Sequence, residues 1–355
     1  MQNLPLRVIF SARNLMVTAM LLVFASQAEA GPPRPVKVFI LAGQSNMEGK
    51  SKLSLLDYQA EQPATRALYA PLRKDGRWTE RDDVWIKFLD RHGKLTVGFG
   101  SPQCIGPELG FGTVVGDHFD EPVLLIKTAW GGRSLYRDFR PPSAGLPPVE
   151  VLEKMLADQR KRRPETTLDE VKQAFGASYR EMLAETKGTL ANLKNSFPEL
   201  AGKDHELAGL IWFQGWNDMI NAEYTAEYTK NLEHFIRDVR RDLKAPGLPV
   251  VVGQMGVDGD HPGENIQKFK TAQAVVLKVP EFQGNVALVK TDQYWDTAAE
   301  AVFKKGWREN LAEWNTVGSD YPYHYLGSGK TMLTIGRAFG EAALELAGEK
   351  TKSAP

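Results

Sequence analysis

The sequence predicts an α/β fold: a three-layer α/β/α sandwich with helices on both faces of a parallel central sheet. Three observations carry that reading. Short, nearly continuous apolar runs rich in β-branched residues recur along the chain, as expected of strands covered on both faces. In the second half they alternate with longer stretches of helical period, which implies right-handed crossovers. The first three runs each end in a small or polar turn, at the sheet edge where ligands of such folds bind.

The opening segment reads differently. Arg7 and Arg13 make a positive start, Leu15 to Ala25 is apolar apart from Thr18, and Ala28-Glu29-Ala30 suits cleavage by a signal peptidase. Residues 1–30 are therefore expected to be a signal peptide, cut after Ala30. The apolar run falls short of the ~20 residues a membrane helix requires. A secreted or periplasmic protein without stable membrane insertion is the expectation.

One catalytic domain is expected over residues 31–348, followed by a polar tail, 349–355. Its strands are read as Val36 to Leu41, Pro122 to Thr128, Leu207 to Phe213, Leu248 to Gly253 and Val286 to Lys290. Helical patterns cover Ala222 to Leu243, Glu264 to Leu277 and Lys330 to Leu346. Two stretches fall outside the alternation and are read as insertions. Residues 51–98 are charged, tryptophan-bearing and aperiodic, a long loop excursion with local structure. Residues 140–200 open on a proline-rich turn and continue as two charged helices.

Lys plus Arg and Asp plus Glu both number 44, so no basic excess points to nucleic acid or a lipid surface. The single cysteine, Cys104, excludes an internal disulfide and reads as a small buried side chain. No metal-binding spacing occurs, and neither metal nor cofactor is expected.

The chemistry-bearing residues sit at the strand ends. The first run leads into Gly43-Gln44-Ser45-Asn46-Met47, which places Ser45 where a nucleophile can stand clear of the sheet, although a serine there also suits a helix cap. The second leads into Trp130-Gly131-Gly132-Arg133, whose glycines allow close backbone approach to a ligand. The third leads into Gln214-Gly215-Trp216-Asn217-Asp218. There Asn217 can donate to an oxyanion and Asp218 can cap the next helix. Among six histidines, His324 alone lies after the last strand and before the closing helix, where a base can reach that rim.

These blocks, in this order, resemble the SGNH hydrolases, and within them the sialate O-acetylesterase and acetylxylan-esterase-like branch of carbohydrate esterases. The resemblance implies a flavodoxin-like sheet and a serine esterase that removes O-acetyl groups from carbohydrates. It makes Ser45 the nucleophile and His324 its base. The oxyanion hole would come from the Ser45 N–H, the Gly132 N–H, with Gly131 as alternative, and the Asn217 side chain. Its orienting acid stands three residues before the histidine, where this chain has Tyr321. Asp320, four before, is taken as the acid, with a backbone carbonyl, Asp292 or Asp296 as alternatives. Substrate contacts are expected from Gln44, Trp130, Arg133, Gln214 and Trp216.

Gly327-Ser328-Gly329-Lys330-Thr331 imitates a phosphate loop but has histidine where its first glycine belongs. Two rival functions stay open. One is a glycoside hydrolase using a pair from Glu48, Glu108 and Asp218; the other is a non-catalytic sugar-binding protein using Trp130, Trp216 and Tyr136.

Overall fold

The structure, a computed structural model, describes residues 34–348. The signal-like segment 1–30 and the tail 349–355 lie outside the described residues. Seven strands form the central sheet: β1 Val36–Gly43, β2 Val84–Phe88, β3 Arg91–Lys94, β4 Val123–Ala129, β5 His205–Phe213, β6 Val250–Gln254 and β7 Val286–Lys290. Their order is β7-β6-β5-β1-β4-β2-β3, and every pairing is parallel except β2 with β3.

The principal helices are α1 Ser45–Glu48, α2 Leu53–Glu61, α3 Glu108–His118, α4 Val149–Arg160, α5 Leu168–Ala174 and α6 Ala177–Ala191. They continue with α7 Trp216–Met219, α8 Ala222–Asp242, α9 Glu264–Ala274, α10 Thr297–Lys304, α11 Leu311–Val317 and α12 Gly329–Leu346. Helices cover both faces of the sheet, giving the three-layer sandwich. Two adjacent residues of β5 show this directly. Trp212 packs on Phe235 of α8, centroids 4.3 Å apart, while Phe213 packs on Phe339 of α12 at 5.3 Å. Consecutive side chains of a strand point to opposite faces, so both faces are core.

Three features depart from the sequence expectation. Residues 51–98 are not wholly a loop excursion, because Val84-Trp85-Ile86-Lys87-Phe88 enters the sheet beside β4 and turns back as β3. The alternating charges around this run hide it. Helix α3 was not expected either, since Gly110, Gly112 and Gly116 lower its helical propensity. Those glycines serve packing: a β-carbon at Gly110 would lie 2.1 Å from the Leu333 carbonyl oxygen, and one at Gly336 would lie 2.0 Å from that of Pro107. Finally, residues 140–200 hold three sizeable helices, α4 to α6, rather than two.

Without the β2–β3 hairpin the sheet order is β4-β1-β5-β6-β7, the flavodoxin-like arrangement. The chain leaves β1 to one side and later crosses to the other, so its switch point lies between β4, β1 and β5. Their carboxyl ends carry residues 44–48, 130–136 and 214–218.

Candidate active site

Ser45 opens α1, directly beyond β1. It is 6% exposed, and its hydroxyl makes no hydrogen bond among the described residues. Gln44 occupies the cap position without a side-chain cap bond. The capping role that serine often plays at such a turn is therefore not the one Ser45 has.

Gln44 organises the rim. Its Oε1 accepts from Gln214 Nε2 at 3.2 Å, the Gly215 N–H at 3.1 Å and the Asn217 N–H at 3.4 Å. Its Nε2 donates to Asn217 Oδ1 at 3.1 Å. With that oxygen engaged, the Asn217 amide nitrogen keeps both protons for another acceptor and has no partner among the described residues. Gln44 and Gln214, expected at the substrate, are 1% and 3% exposed. Their amides are spent on bracing neighbours.

Asp218 links the second and third blocks. It is fully buried and accepts from the Leu135 and Tyr136 N–H groups, both at 2.9 Å, and from Gln214 Nε2 at 2.6 Å. Burial pushes its carboxyl up to about 6, against these donated hydrogen bonds. The expected cap of α8 is instead Asn221, which accepts from the Glu223 and Tyr224 N–H groups. Asp218 thus fixes the loop carrying Gly131 and Gly132. A β-carbon at Gly131 would lie 4.0 Å from that of Ser45 and 3.3 Å from Glu48 Oε2. Gly132 has a φ of +72°, which favours glycine.

His324 lies on the turn Pro322–Gly327 between α11 and α12. Its Nδ1 is 3.0 Å from Asp320 Oδ1. Burial alone would raise the Asp320 carboxyl; hydrogen bonds from His324 and the Tyr321 N–H outweigh it and hold the carboxyl below its usual value. The alternatives are occupied. Asp292 pairs with Lys270, and Asp296 accepts from Ser328, Lys330 and the Ala299 N–H. Asn46 Nδ2 donates to the Tyr323 carbonyl at 3.1 Å, tying the residue after Ser45 to the residue before His324.

Tyr325, Leu326 and Gly327 all have left-handed φ, at 53°, 60° and 58°. For the first two this costs roughly 1–2 kcal/mol each, and it persists only where the surroundings over-determine it. Buried Tyr325 supplies the anchor: its hydroxyl accepts from the Gly256 N–H at 2.8 Å and lies 2.6 Å from Thr291 Oγ1. The Thr291 hydroxyl donates to the Gln254 carbonyl, so Tyr325 donates to it.

The glycosidase pairing fails on burial. Asp218 and Glu108 are both 0% exposed, and Glu108 is committed to the equally buried Lys127 at 2.7 Å. Glu48, the third candidate, accepts from Lys50 and Ser101. Trp130 and Trp216 are partly buried at the rim, and Arg133 is 47% exposed with Asp138 at 3.4 Å. Ser328 caps α12 where a phosphate loop would cradle its ligand. Cys104 is buried, which pushes its thiol up.

A serine hydroxyl without a hydrogen bond among the described residues and an undischarged amide donor stand at the switch point of a three-layer α/β sandwich, and the Asn46–Tyr323 bond ties that rim to the turn carrying an imidazole–carboxylate pair; an ester hydrolase uses groups of these kinds. The family model described as carbohydrate esterase, sialic acid-specific acetylesterase, matches residues 35–300, and the chain belongs to that family. Among curated proteins, a probable carbohydrate esterase of Arabidopsis thaliana is 28% identical over 68 residues, 19% of this chain and 25% of that relative. The match thus spans a quarter of the relative's length. A solved Arabidopsis thaliana protein superposes with a TM-score of 0.50 at 17% identity, covering 88% of this chain and 99% of that one. NanS superposes with a TM-score of 0.51 at 15% identity, covering 90% and 99%. These two likenesses establish the fold. Among the described residues, no helix is long and apolar enough to cross a membrane.

Proposed function

We propose that the protein is a secreted or periplasmic O-acetylesterase that deacetylates carbohydrates through an acetyl-Ser45 intermediate. The supporting observation is that the Asp320–His324 pair sits on a turn bonded to the Ser45 turn, while the Ser45 hydroxyl has no other task. Export rests on the signal-like character of residues 1–30.

In the first step His324 takes the Ser45 proton as the oxygen attacks the acetyl carbonyl. Asp320 fixes the imidazole through Nδ1, which leaves Nε2 to work as base. The oxyanion is received by the Ser45 N–H, the Gly132 N–H and the Asn217 amide, with Gly131 as the alternative glycine. His324 then returns the proton to the departing sugar oxygen, and water repeats the sequence on acetyl-Ser45. Gln44 and Gln214 act as positioning residues, the first by turning the Asn217 amide and the second by joining Gln44 to Asp218. Trp130 and Trp216 offer aromatic surface to the sugar, and Arg133 offers a guanidinium for an acidic one.

The test is acetate release from acetylated sialic acid, acetylated xylan and other acetylated glycans. Wild-type protein should release acetate and trap a serine-directed inhibitor on Ser45; Ser45→Ala should do neither. Acetate release by a folded Ser45→Ala variant at the wild-type rate would overturn the assignment.

A further inference from the structure

Beside His324 a run of aromatic rings extends from Trp216 to side chains that the reaction above does not use. Trp216, adjacent to Asn217, packs on Tyr323 with centroids 5.5 Å apart. Tyr323 stacks on Tyr321 at 5.3 Å with the rings only 6° from parallel. Trp307 meets Tyr321 edge-on at 6.1 Å, and the Arg308 guanidinium lies 4.8 Å from the Trp307 ring centre. The Arg308 guanidinium also donates to the Tyr321 hydroxyl at 3.4 Å. This series leads away from the rim, and Tyr321 at its outer part is 40% exposed. Trp216, Tyr323 and Trp307 are half-buried, Trp307 also packing on buried Trp314 at 5.8 Å, so the series brings aromatic surface out from the rim to the exposed Tyr321.

We propose that these rings form a glycan platform: Trp307 and Tyr321 bind the pyranose rings next to the acetylated one, so the preferred substrate is an oligosaccharide rather than a free sugar. The inference rests on the esterase reading above and names the substrate class of that same site. A pyranose presents apolar C–H faces ringed by hydroxyls. Flat aromatic surface meets the faces, and the Arg308 guanidinium meets hydroxyl or carboxylate oxygens. Continuity with the catalytic turn is the structural argument, since Tyr321 and Tyr323 lie between Asp320 and His324 in the chain.

The test compares acetylated xylohexaose, O-acetylated sialyllactose and p-nitrophenyl acetate as substrates for wild type, Trp307→Ala, Tyr321→Ala and Trp307→Phe. Each alanine variant should lose about tenfold more kcat/KM on an oligosaccharide than on p-nitrophenyl acetate, with the difference in KM, and Trp307→Phe should recover most of it. The two oligosaccharides separate a neutral from an acidic chain as the source of the rings. Equal losses on all three substrates, or none, would overturn the platform. A second measurement is independent of turnover: xylohexaose and sialyllactose are titrated into Ser45→Ala while tryptophan fluorescence is followed. At least one should change the emission with saturation, and the Ser45→Ala/Trp307→Ala protein should bind it about tenfold more weakly. Binding that ignores Trp307, or no binding of either, sinks the platform. Trp307-dependent binding without acetate release from any glycan leaves the platform standing and removes the esterase reading. Ser45-dependent release that is indifferent to Trp307 does the reverse.

Discussion

The two halves of the candidate site are built by different means. The Ser45, Gly132 and Asn217 rim grows from three adjacent parallel strands and is locked by buried amides and a carboxylate: Gln44, Gln214 and Asp218. The His324 turn follows no strand; it is a left-handed bend pinned by the Tyr325 phenol, by the Asn46 bond to Tyr323 and by the Ser51 and Ser319 hydroxyls, which both donate to the Gly327 carbonyl. A sheet edge with a satisfied polar network holds its geometry by redundancy, whereas the bend depends on a few contacts that each oppose backbone strain. On the mechanism proposed above, the half that carries the backbone strain is the one that presents the base.

The largest effect should come from that half. Asp320→Asn removes the acceptor that fixes the His324 tautomer, and in serine triads such a change costs roughly 10⁴ in turnover. Steady-state acetate release should show the loss in kcat with little change in KM. Retention of more than a tenth of the wild-type rate would mean that Asp320 does not orient the base.

Next comes the rim. Asn217→Ala should lower kcat by about 10²–10³, the usual cost of one oxyanion donor. Gln44→Ala should act in the same direction through Asn217, without touching the substrate. If Gln44→Ala raised KM and spared kcat, the rim would be a binding surface and not a brace.

How much of this was legible in the sequence follows the same divide. Strand runs ending in Gly-Gln-Ser-Asn, Gly-Gly and Gly-Trp-Asn-Asp place three groups at one edge because a parallel sheet aligns its carboxyl ends; local pattern sufficed. Val84 to Phe88 escapes because Lys87 and its charged flanks mask the strand, and α3 because its glycines answer to close packing, Gly110 against α12 and Gly112 and Gly116 against Val84 of β2. The orientation of His324 had no local signal. It depends on Tyr325 reaching Gly256 and Thr291, residues far away in sequence, and on two non-glycine residues in left-handed backbone. From sequence Gln44 and Gln214 look like substrate contacts, because a polar side chain at a strand end gives no hint of which way its partners lie; in the structure both are buried among their hydrogen-bond partners.

Each half also holds one shifted carboxyl, and the shifts are opposite. Asp218 rises from 3.8 to about 6 in the folded protein, so the unfolded chain loses its proton first. Its contribution to stability therefore falls as pH rises from near 4 to about 6 and is level above, by about 3 kcal/mol at most. Asp320 is held low, so its contribution is complete above the usual carboxylate value and disappears as pH falls through the lower folded one. Urea unfolding across that range should show the slope between roughly pH 4 and 6 flattened in Asp218→Asn and unaltered in Asp320→Asn. The same slope in both variants would place the rim carboxylate in water.

The smallest effect expected is also the sharpest probe of the difference between the halves. Tyr325→Phe keeps the buried ring but takes away the hydroxyl, leaving the Gly256 N–H without its acceptor and Thr291 Oγ1 without its donor. A buried group stripped of its partner costs about 1–3 kcal/mol. Because the strained residues are held by this anchor, the loss should appear as local opening of the bend before global unfolding. Hydrogen exchange should quicken at residues 319–327 while residues 128–136 and 214–218 keep their protection, and kcat should fall severalfold without change in the rim. Equal loss of protection in both places would show that the bend and the rim open as one unit, and the strain at Tyr325 and Leu326 would then be shared across the whole edge of the sheet.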